Sequence, residues 1–202
     1  MKEYIFYDLS DEIYEKLFTV TSEILKNAGI VEKDEVFFEL FAEIVQNAAK
    51  ANFKEVIRRE MQLDMNKEKE YELLMNDFKN RLPKAHIELA NKAKDHNLYV
   101  MFRVYLNEAK ILHLQVVNNR PASFAEMKRL DFKIEEAKKY EKLADFYLIN
   151  YDDTEGAGLG TALIIISLRS MGYHDFLYRV YNDDMSRTVA ELVVDLKESR
   201  LE

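Results

Sequence analysis

The chain contains no cysteine, and this absence excludes disulfide bonds and metal sites built on thiolates. Proline occurs only twice, as Pro83 and Pro121, and no linker rich in proline, glycine or serine separates two halves of the chain. Internal repeats and low-complexity segments are also missing. Because 202 residues suffice to bury one full core, we predict one domain, or one domain with an appendage.

Basic residues are outnumbered by acids, with 29 lysines and arginines against 37 aspartates and glutamates, so that the net charge is 29 − 37 = −8. This balance argues against general binding to nucleic acid or to an anionic membrane. The longest nearly uncharged run, residues 156–168, is too short to span a bilayer. Acids interrupt residues 1–12, where a signal peptide would need an apolar core, so we expect a soluble cytoplasmic protein.

The hydrophobic pattern has a helical period in the first half of the chain and later changes to the period of strands. Ser10 and Gly29 are start and stop signals of a first helix, and Asp34 is the predicted cap of a second helix that runs to about Glu60. The charged block 61–97 is also predicted to be helical, with a break at Pro83. A polar helix is predicted at 123–143, and strands are predicted at 4–7, 97–106, 110–119, 144–150, 175–182 and 188–196.

One face of the second predicted helix carries a polar stripe, which we define as Glu43, Asn47, Lys50 and Lys54. Spacings of three and four residues place these side chains in one row beside a broad apolar arc. An acid, an amide and a base in such a row are able to hold a hydrated metal ion and a phosphate. The alternative interpretation is the ordinary charged outer face of an amphipathic helix.

The segment 156–160 is the one glycine-rich loop of the sequence, with glycines at 156, 158 and 160. Such a loop lets the backbone approach a ligand, and the helix that follows points free N–H groups toward it, which favours an anion. The pattern is neither a P-loop nor a dinucleotide fingerprint. The alternative is a helix that packs closely on a sheet.

Taken together, EIVQNAAKAN (43–52), VVNNRPA (116–122) and GAGLGTALI (156–164) resemble the N box and the two glycine boxes of the GHKL superfamily of ATPases. The order and spacing agree from about residue 35 to residue 196. The resemblance implies a two-layer α+β sandwich, with a mixed sheet and helices on one face. It also implies a histidine-kinase-like domain at 35–202 with a helical insertion at 61–97 and an ATP lid at 123–155, while 1–34 form an appendage on this domain or in a homodimer.

The resemblance assigns a role to each matching residue. Asn47 would coordinate Mg²⁺, Lys50 would bind a phosphate oxygen, and Glu43 would be the catalytic base or assist the chemistry. Contacts to ATP or ADP are expected from the residues of the second glycine box and from three further positions, namely Gly156, Gly158, Leu159, Gly160, Asn118, Arg120 and Thr188.

The first glycine box departs from the family pattern. Asn118, or Asn119 if the register slips by one residue, replaces the aspartate that accepts a hydrogen bond from adenine. Arg120 and Ala122 replace two glycines. Arginine does not readily adopt a positive φ, so Arg120 is expected to enter the pocket and either help bind a phosphate or block the base. Acids at 152, 153 and 155 would repel a polyphosphate unless a metal intervenes.

Three functions remain open at this point. The first is a stand-alone Mg²⁺-ATP-binding domain that acts as a protein kinase or slow ATPase in signal transduction, with its substrate on another protein because the first histidine is His86. The second is a degenerate GHKL domain kept as a dimerisation or partner-docking module. The third is an unrelated α+β domain in which both motifs are structural.

Overall fold

A five-stranded sheet with helices packed on one face forms the body of the protein in the computed structural model, which describes residues 1–8, 10–65, 67–150 and 159–197. The strands are β1 (Lys2–Phe6), β2 (Val100–Leu106), β3 (Ile111–Asn118), β4 (Phe176–Asn182) and β5 (Thr188–Asp195). The helices are α1 (Asp11–Ala28), α2 (Asp34–Met61), α3 (Glu68–Asp95), α4 (Phe124–Ala137), α5 (Leu143–Asn150) and α6 (Leu159–Ser170).

The sheet has the strand order β1-β2-β3-β5-β4, and its four described pairings are all antiparallel. The predicted hairpin is confirmed, with Val100 opposite Asn118 and Leu106 opposite Leu112. The predicted two-layer α+β sandwich is confirmed as well. Its sheet is antiparallel where a mixed sheet was expected, an expectation that came from the family resemblance and from no residue pattern.

Alternate strand residues face the helices and form the main core. Phe102, Leu114 and Leu192 project from neighbouring strands and are fully buried together with Phe37 and Phe41 of α2. Burying one such side chain contributes about 1.5–3 kcal/mol, so this layer holds α2 firmly against the sheet. The polar stripe of α2 is therefore fixed in position relative to β3, β4 and β5.

Residues 1–34 are integrated into this core. Strand β1 pairs with β2 at the edge of the sheet, and Leu17, Val20 and Leu25 of α1 are buried in the main core. Helix α1 ends where predicted, because Gly29 adopts the left-handed conformation with a φ of 83°. The boundary at residue 34 stays a prediction.

The second half of α2 packs on α3 and forms a second core, which includes Phe53, Ile57, Leu74, Phe78 and Leu89. The predicted helical block at 61–97 is thus confirmed over Glu68–Asp95. Its predicted break at Pro83 is a kink within one helix, since only Ala85 leaves the helical region, with φ −128° and ψ 21°.

The strand predicted at residues 144–150 is wrong, because these residues belong to helix α5. A short apolar run has no period that separates a strand from a helix, and the exposed Leu148 and Ile149 show that this run does not lie in the sheet. Among the described helices, none is both long and apolar enough to cross a membrane.

Candidate functional site

A cavity of about 240 Å³ lies between α2, α4 and the start of α6, over the ends of β3, β4 and β5. The polar stripe of α2 forms one wall, as the sequence predicts. The described residues that line the cavity and carry polar or charged side chains are Glu43, Asn47, Lys50, Lys54, Tyr71, Asn118, Glu126, Arg129, Lys133, Thr161, Tyr178 and Thr188.

Glu43 and Asn47 lie one helical turn apart and are joined by a hydrogen bond of 2.9 Å, donated by Asn47 Nδ2 to Glu43 Oε1. Gly160, near the start of α6, packs directly against both. A Cβ atom on Gly160 would lie 2.7 Å from Glu43 Cδ and 3.1 Å from Asn47 Nδ2. A Cβ atom would therefore fit here only if the Glu43 carboxylate moved aside, while the hydrogen bond from Asn47 Nδ2 leaves the Oδ1 atom of Asn47 for a ligand.

The cavity is positively charged although the chain is acidic. Four basic side chains line it, those of Lys50, Lys54, Arg129 and Lys133, against the two acids Glu43 and Glu126. Arg129 stacks on Tyr71, with the guanidinium carbon 3.6 Å from the ring centre, and its Nη1 atom is buried with no hydrogen-bond partner among the described residues. A buried donor without a partner is costly, which makes this atom a point where an anion would gain a hydrogen bond.

Polar groups also form the floor of the cavity. The Asn118 Nδ2 atom donates to Ala48 O and to Asn52 Oδ1, both at 2.8 Å, and both asparagines are buried. Only the Oδ1 atom of Asn118 is thus left for a ligand. Burial raises the pKa of the Tyr178 hydroxyl, and the Glu43 carboxylate adds to the effect, so this phenol stays protonated.

Thr188 lines the cavity with a hydroxyl that has protein partners. Its Oγ1 atom accepts a hydrogen bond of 2.7 Å from Ala122 N and donates one of 2.9 Å to Arg120 O. These bonds join the start of β5 to the segment between β3 and α4. The side chain therefore fixes the rim of the cavity.

Arg120 does not line this cavity, which corrects the expectation that it enters the pocket. It lies in a neighbouring arginine cleft, lined by Arg58, Arg59 and Arg120 among others, where its Nη2 atom donates to Ala51 O at 3.2 Å and to Glu126 Oε1 at 3.4 Å. Glu126 also accepts a 2.7 Å bond from Ser123 N in a capping box that begins α4. Arg120 thus holds α4 in place.

The arginine cleft contains the Glu55 carboxylate, whose pKa lies well below its usual value. Burial alone would raise the pKa of Glu55, but hydrogen bonds from Arg58 and Arg59 and the charge of Arg120 lower this pKa to about 2. Burial would likewise raise the pKa of Glu126, and the charge of Arg120 lowers it. Both acids are therefore structural partners of arginine.

Six predicted site residues converge on the cavity, namely Glu43, Asn47, Lys50, Asn118, Gly160 and Thr188. Leu159 packs against the main core instead. Gly156 and Gly158 lie outside the described residues, as do the acids at 152, 153 and 155. The ligand roles given to these residues stay predictions.

Sequence reasoning did not find Arg129 and Lys133, which come from α4. Their spacing of four residues places them on one face of the predicted polar helix, and this was the signal available. Among the described residues, no group of three His, Cys, Asp or Glu side chains is arranged to hold a metal ion. A Mg²⁺ ion in the cavity would therefore depend on Asn47 Oδ1, on the neighbouring Glu43 carboxylate and on oxygens of its ligand.

No family model matches the chain. It is 28% identical over 153 residues to a protein of Treponema pallidum (strain Nichols) described as uncharacterized. The match covers 76% of this chain and spans 29% of the length of that relative. Among solved structures, a chain in the crystal structure of the SiaB-SiaC complex from Pseudomonas aeruginosa has a TM-score of 0.50, with 11% identity over 96% of this chain and 89% of that one. At this identity the likeness concerns the fold alone.

These comparisons contradict the assignment to the GHKL superfamily. No GHKL or other family model is matched, and a solved structure with a similar fold is that of the SiaB-SiaC complex. The structure of the first glycine box is consistent with this correction. Asn118 is hydrogen-bonded within the protein, and Arg120 lies in the arginine cleft and not in the cavity. The GHKL assignment is therefore wrong, and the kinase and ATPase functions that it implied lose their support.

Proposed function

We propose that this chain is a protein-docking module that acts as one half of a complex with a second protein. The observation that carries the proposal is the likeness in fold, over 96% of the chain, to a chain whose structure was solved as a complex of two proteins. The relative from Treponema pallidum supports a modular role, since the chain corresponds to 29% of that longer protein.

The experiment is to isolate the tagged chain from its native host at low salt and to measure the mass of its particles by light scattering after size exclusion. We expect one second protein at a fixed stoichiometry, and no such protein with an unrelated tagged control. Elution of the 23.9 kDa chain alone would refute the proposal. A particle of twice this mass would instead support the homodimer predicted as an alternative.

As a second candidate, we propose that the cavity binds an anionic small molecule, with ATP or ADP and Mg²⁺ as the ligands to test. The supporting observation is the excess of basic over acidic side chains in a chain of net charge −8, together with the unpaired Arg129 Nη1 atom. Lys50 and Arg129 would bind phosphate oxygens, and Asn47 Oδ1 would bind the metal.

Titration calorimetry with ADP and a non-hydrolysable ATP analogue, with and without Mg²⁺, tests this candidate. We expect binding that requires Mg²⁺ and that is lost in Asn47→Ala. The matched control is Asn80→Ala, since Asn80 is exposed on α3, away from the cavity. Absent binding, or binding that is indifferent to both changes, would refute it and would leave the docking proposal untouched.

A further inference from the structure

Helices α1, α2 and α6 border a third concave surface, separate from the cavity and from the arginine cleft. We call it the acidic groove, with a volume of about 510 Å³. Its lining consists of Phe18, Glu35, Val36, Phe38, Glu39, Leu40, Leu163 and Ser167. None of these residues takes part in the cavity described above.

Apolar side chains form most of the lining of the acidic groove, and two of them are exposed to solvent. Phe18 of α1 and Val36 of α2 are 43% and 39% exposed, and both line this groove. The rings of Phe18 and Phe38 meet edge to face with centres 5.4 Å apart, so α1 and α2 hold this lining in a fixed shape. A preformed apolar groove between helices suits the apolar face of a further helix.

The charged part of the groove is entirely acidic. Glu35 and Glu39 lie one turn apart on α2, are exposed, and have no ion-pair partner among the described residues. The lysines of the neighbouring turns are engaged elsewhere. Lys16 bonds to Glu12 at 2.6 Å, and Lys33 donates to Met171 O at 3.0 Å and lies over the ring of Tyr173.

We infer that the acidic groove docks an amphipathic helical segment of the protein partner, with apolar side chains on one face and lysine or arginine beside them. The inference rests on the proposed docking function and names its surface and the chemistry of the partner. Lysine and arginine complement Glu35 and Glu39, the only charged residues of the described lining. A second copy of the chain fits poorly, because two-fold pairing would set these glutamates against their own images.

Photo-crosslinking in the native host tests the surface directly. A photoreactive amino acid replaces Val36 in one variant of the full chain and Leu177 in a second. Leu177 is a matched control because it is 43% exposed and lies on β4, on the sheet face that the helices leave open. Mass spectrometry then identifies the segment joined to each position.

We expect Val36 to yield a segment of another protein that is helical in pattern and rich in lysine or arginine. A segment of this same chain, or an acidic segment, overturns the inference. Crosslinks from Leu177 without any from Val36 overturn it too, while the docking function stands. Crosslinks from neither position count against both.

Charge reversal provides the second arm. In Glu35→Lys/Glu39→Lys the crosslink yield from Val36 should fall about tenfold, because two attractions become repulsions. The control reverses two exposed acids elsewhere, in Glu108→Lys/Glu141→Lys, and should leave the yield unchanged. An equal loss in both variants would show that overall charge, and not the groove, governs the contact.

Discussion

Gly160 of α6 packs so closely against Glu43 of α2 that the space for a Cβ atom is already taken by the carboxylate. The group in the way is the end of a flexible side chain, which is able to move aside. We therefore expect Gly160→Ala to displace the Glu43 carboxylate and break its bond to Asn47, while the free energy of unfolding changes by no more than about 1 kcal/mol.

Urea unfolding measures the free energy of unfolding. Calorimetric titration with ADP and Mg²⁺ measures whether displacing the carboxylate changes binding in the cavity. The contrasting variant is Gly29→Ala, which has open space around the new Cβ but a φ of 83°. It should lower the free energy of unfolding by about 1 kcal/mol and leave the cavity intact. A large loss of stability in Gly160→Ala would contradict the expected movement of the carboxylate.

Asn118→Ala removes the two hydrogen bonds that tie β3 to α2 beneath the cavity. The Oδ1 atom of the fully buried Asn52 would lose its partner, so we expect the free energy of unfolding to fall by about 1–3 kcal/mol. Urea unfolding measures it. The exposed control Asn80→Ala should change it by less than about 0.5 kcal/mol, and equal effects in the two variants would contradict the prediction.

Glu55 is expected to make the stability of the folded protein depend on pH in the acid range. Its pKa is lowered from 4.5 to about 2 in the folded protein, so its contribution to stability is complete above pH 4.5 and is lost as the pH falls toward 2. Glu55→Gln should be less stable at pH 7 by about 1–3 kcal/mol, because Arg58 and Arg59 lose a charged acceptor. It should also lose less stability than the parent chain between pH 4.5 and pH 2.

Urea unfolding across this pH range measures both effects. Glu108→Gln is the control, since Glu108 is exposed in the hairpin turn and far from the arginine cleft. Its stability should follow that of the parent chain at every pH. An unchanged acid limb in Glu55→Gln would show that other groups account for the sensitivity.

Side chains buried in the second core are expected to contribute strongly to the stability of the protein. Phe78 of α3 is fully buried, and the ammonium group of Lys54 lies 4.9 Å from its ring centre. We expect Phe78→Ala to destabilise the protein by about 3–5 kcal/mol, through lost burial and the cavity left behind. Phe132→Ala is the control, because Phe132 is 65% exposed, and a comparable loss there would contradict the argument.

Local signals were sufficient for most of the fold. The end of α1 before Gly29 follows from capping chemistry that acts within one turn. The β2–β3 hairpin follows from alternation along two adjacent segments. Each of these elements is specified by residues close to one another in sequence. Asp34, predicted as the cap of α2, is instead its first residue, with Lys33 at the N-cap and no side-chain cap hydrogen bond.

The misses have different physical origins. The apolar run that forms α5 has the composition of a strand, and its tertiary environment decides between the two structures. The kink after Pro83 has a local cause, the proline itself, and the helix continues beyond it with both halves of α3 packed in the second core. Pro83 therefore marks a bend within α3 and not the end of a helix.

Sequence reasoning predicted only some of the residues of the candidate site. Glu43, Asn47 and Lys50 share one helix face, so helical spacing was enough to group them. Arg129 and Lys133 reach the same cavity from a helix some eighty residues later, and only the folded chain brings them there. The GHKL resemblance placed Arg120 in the pocket on motif alone, whereas its ion pair with Glu126 holds it outside.

Helix α2 is one uninterrupted element of 28 residues, about 42 Å long. The acidic groove lies near its first turns, the cavity at its middle and the second core at its end. Helix α6 also lines both the acidic groove and the cavity, through Leu163 and Gly160. A protein seated in the groove would therefore contact the same two helices whose close approach shapes the cavity.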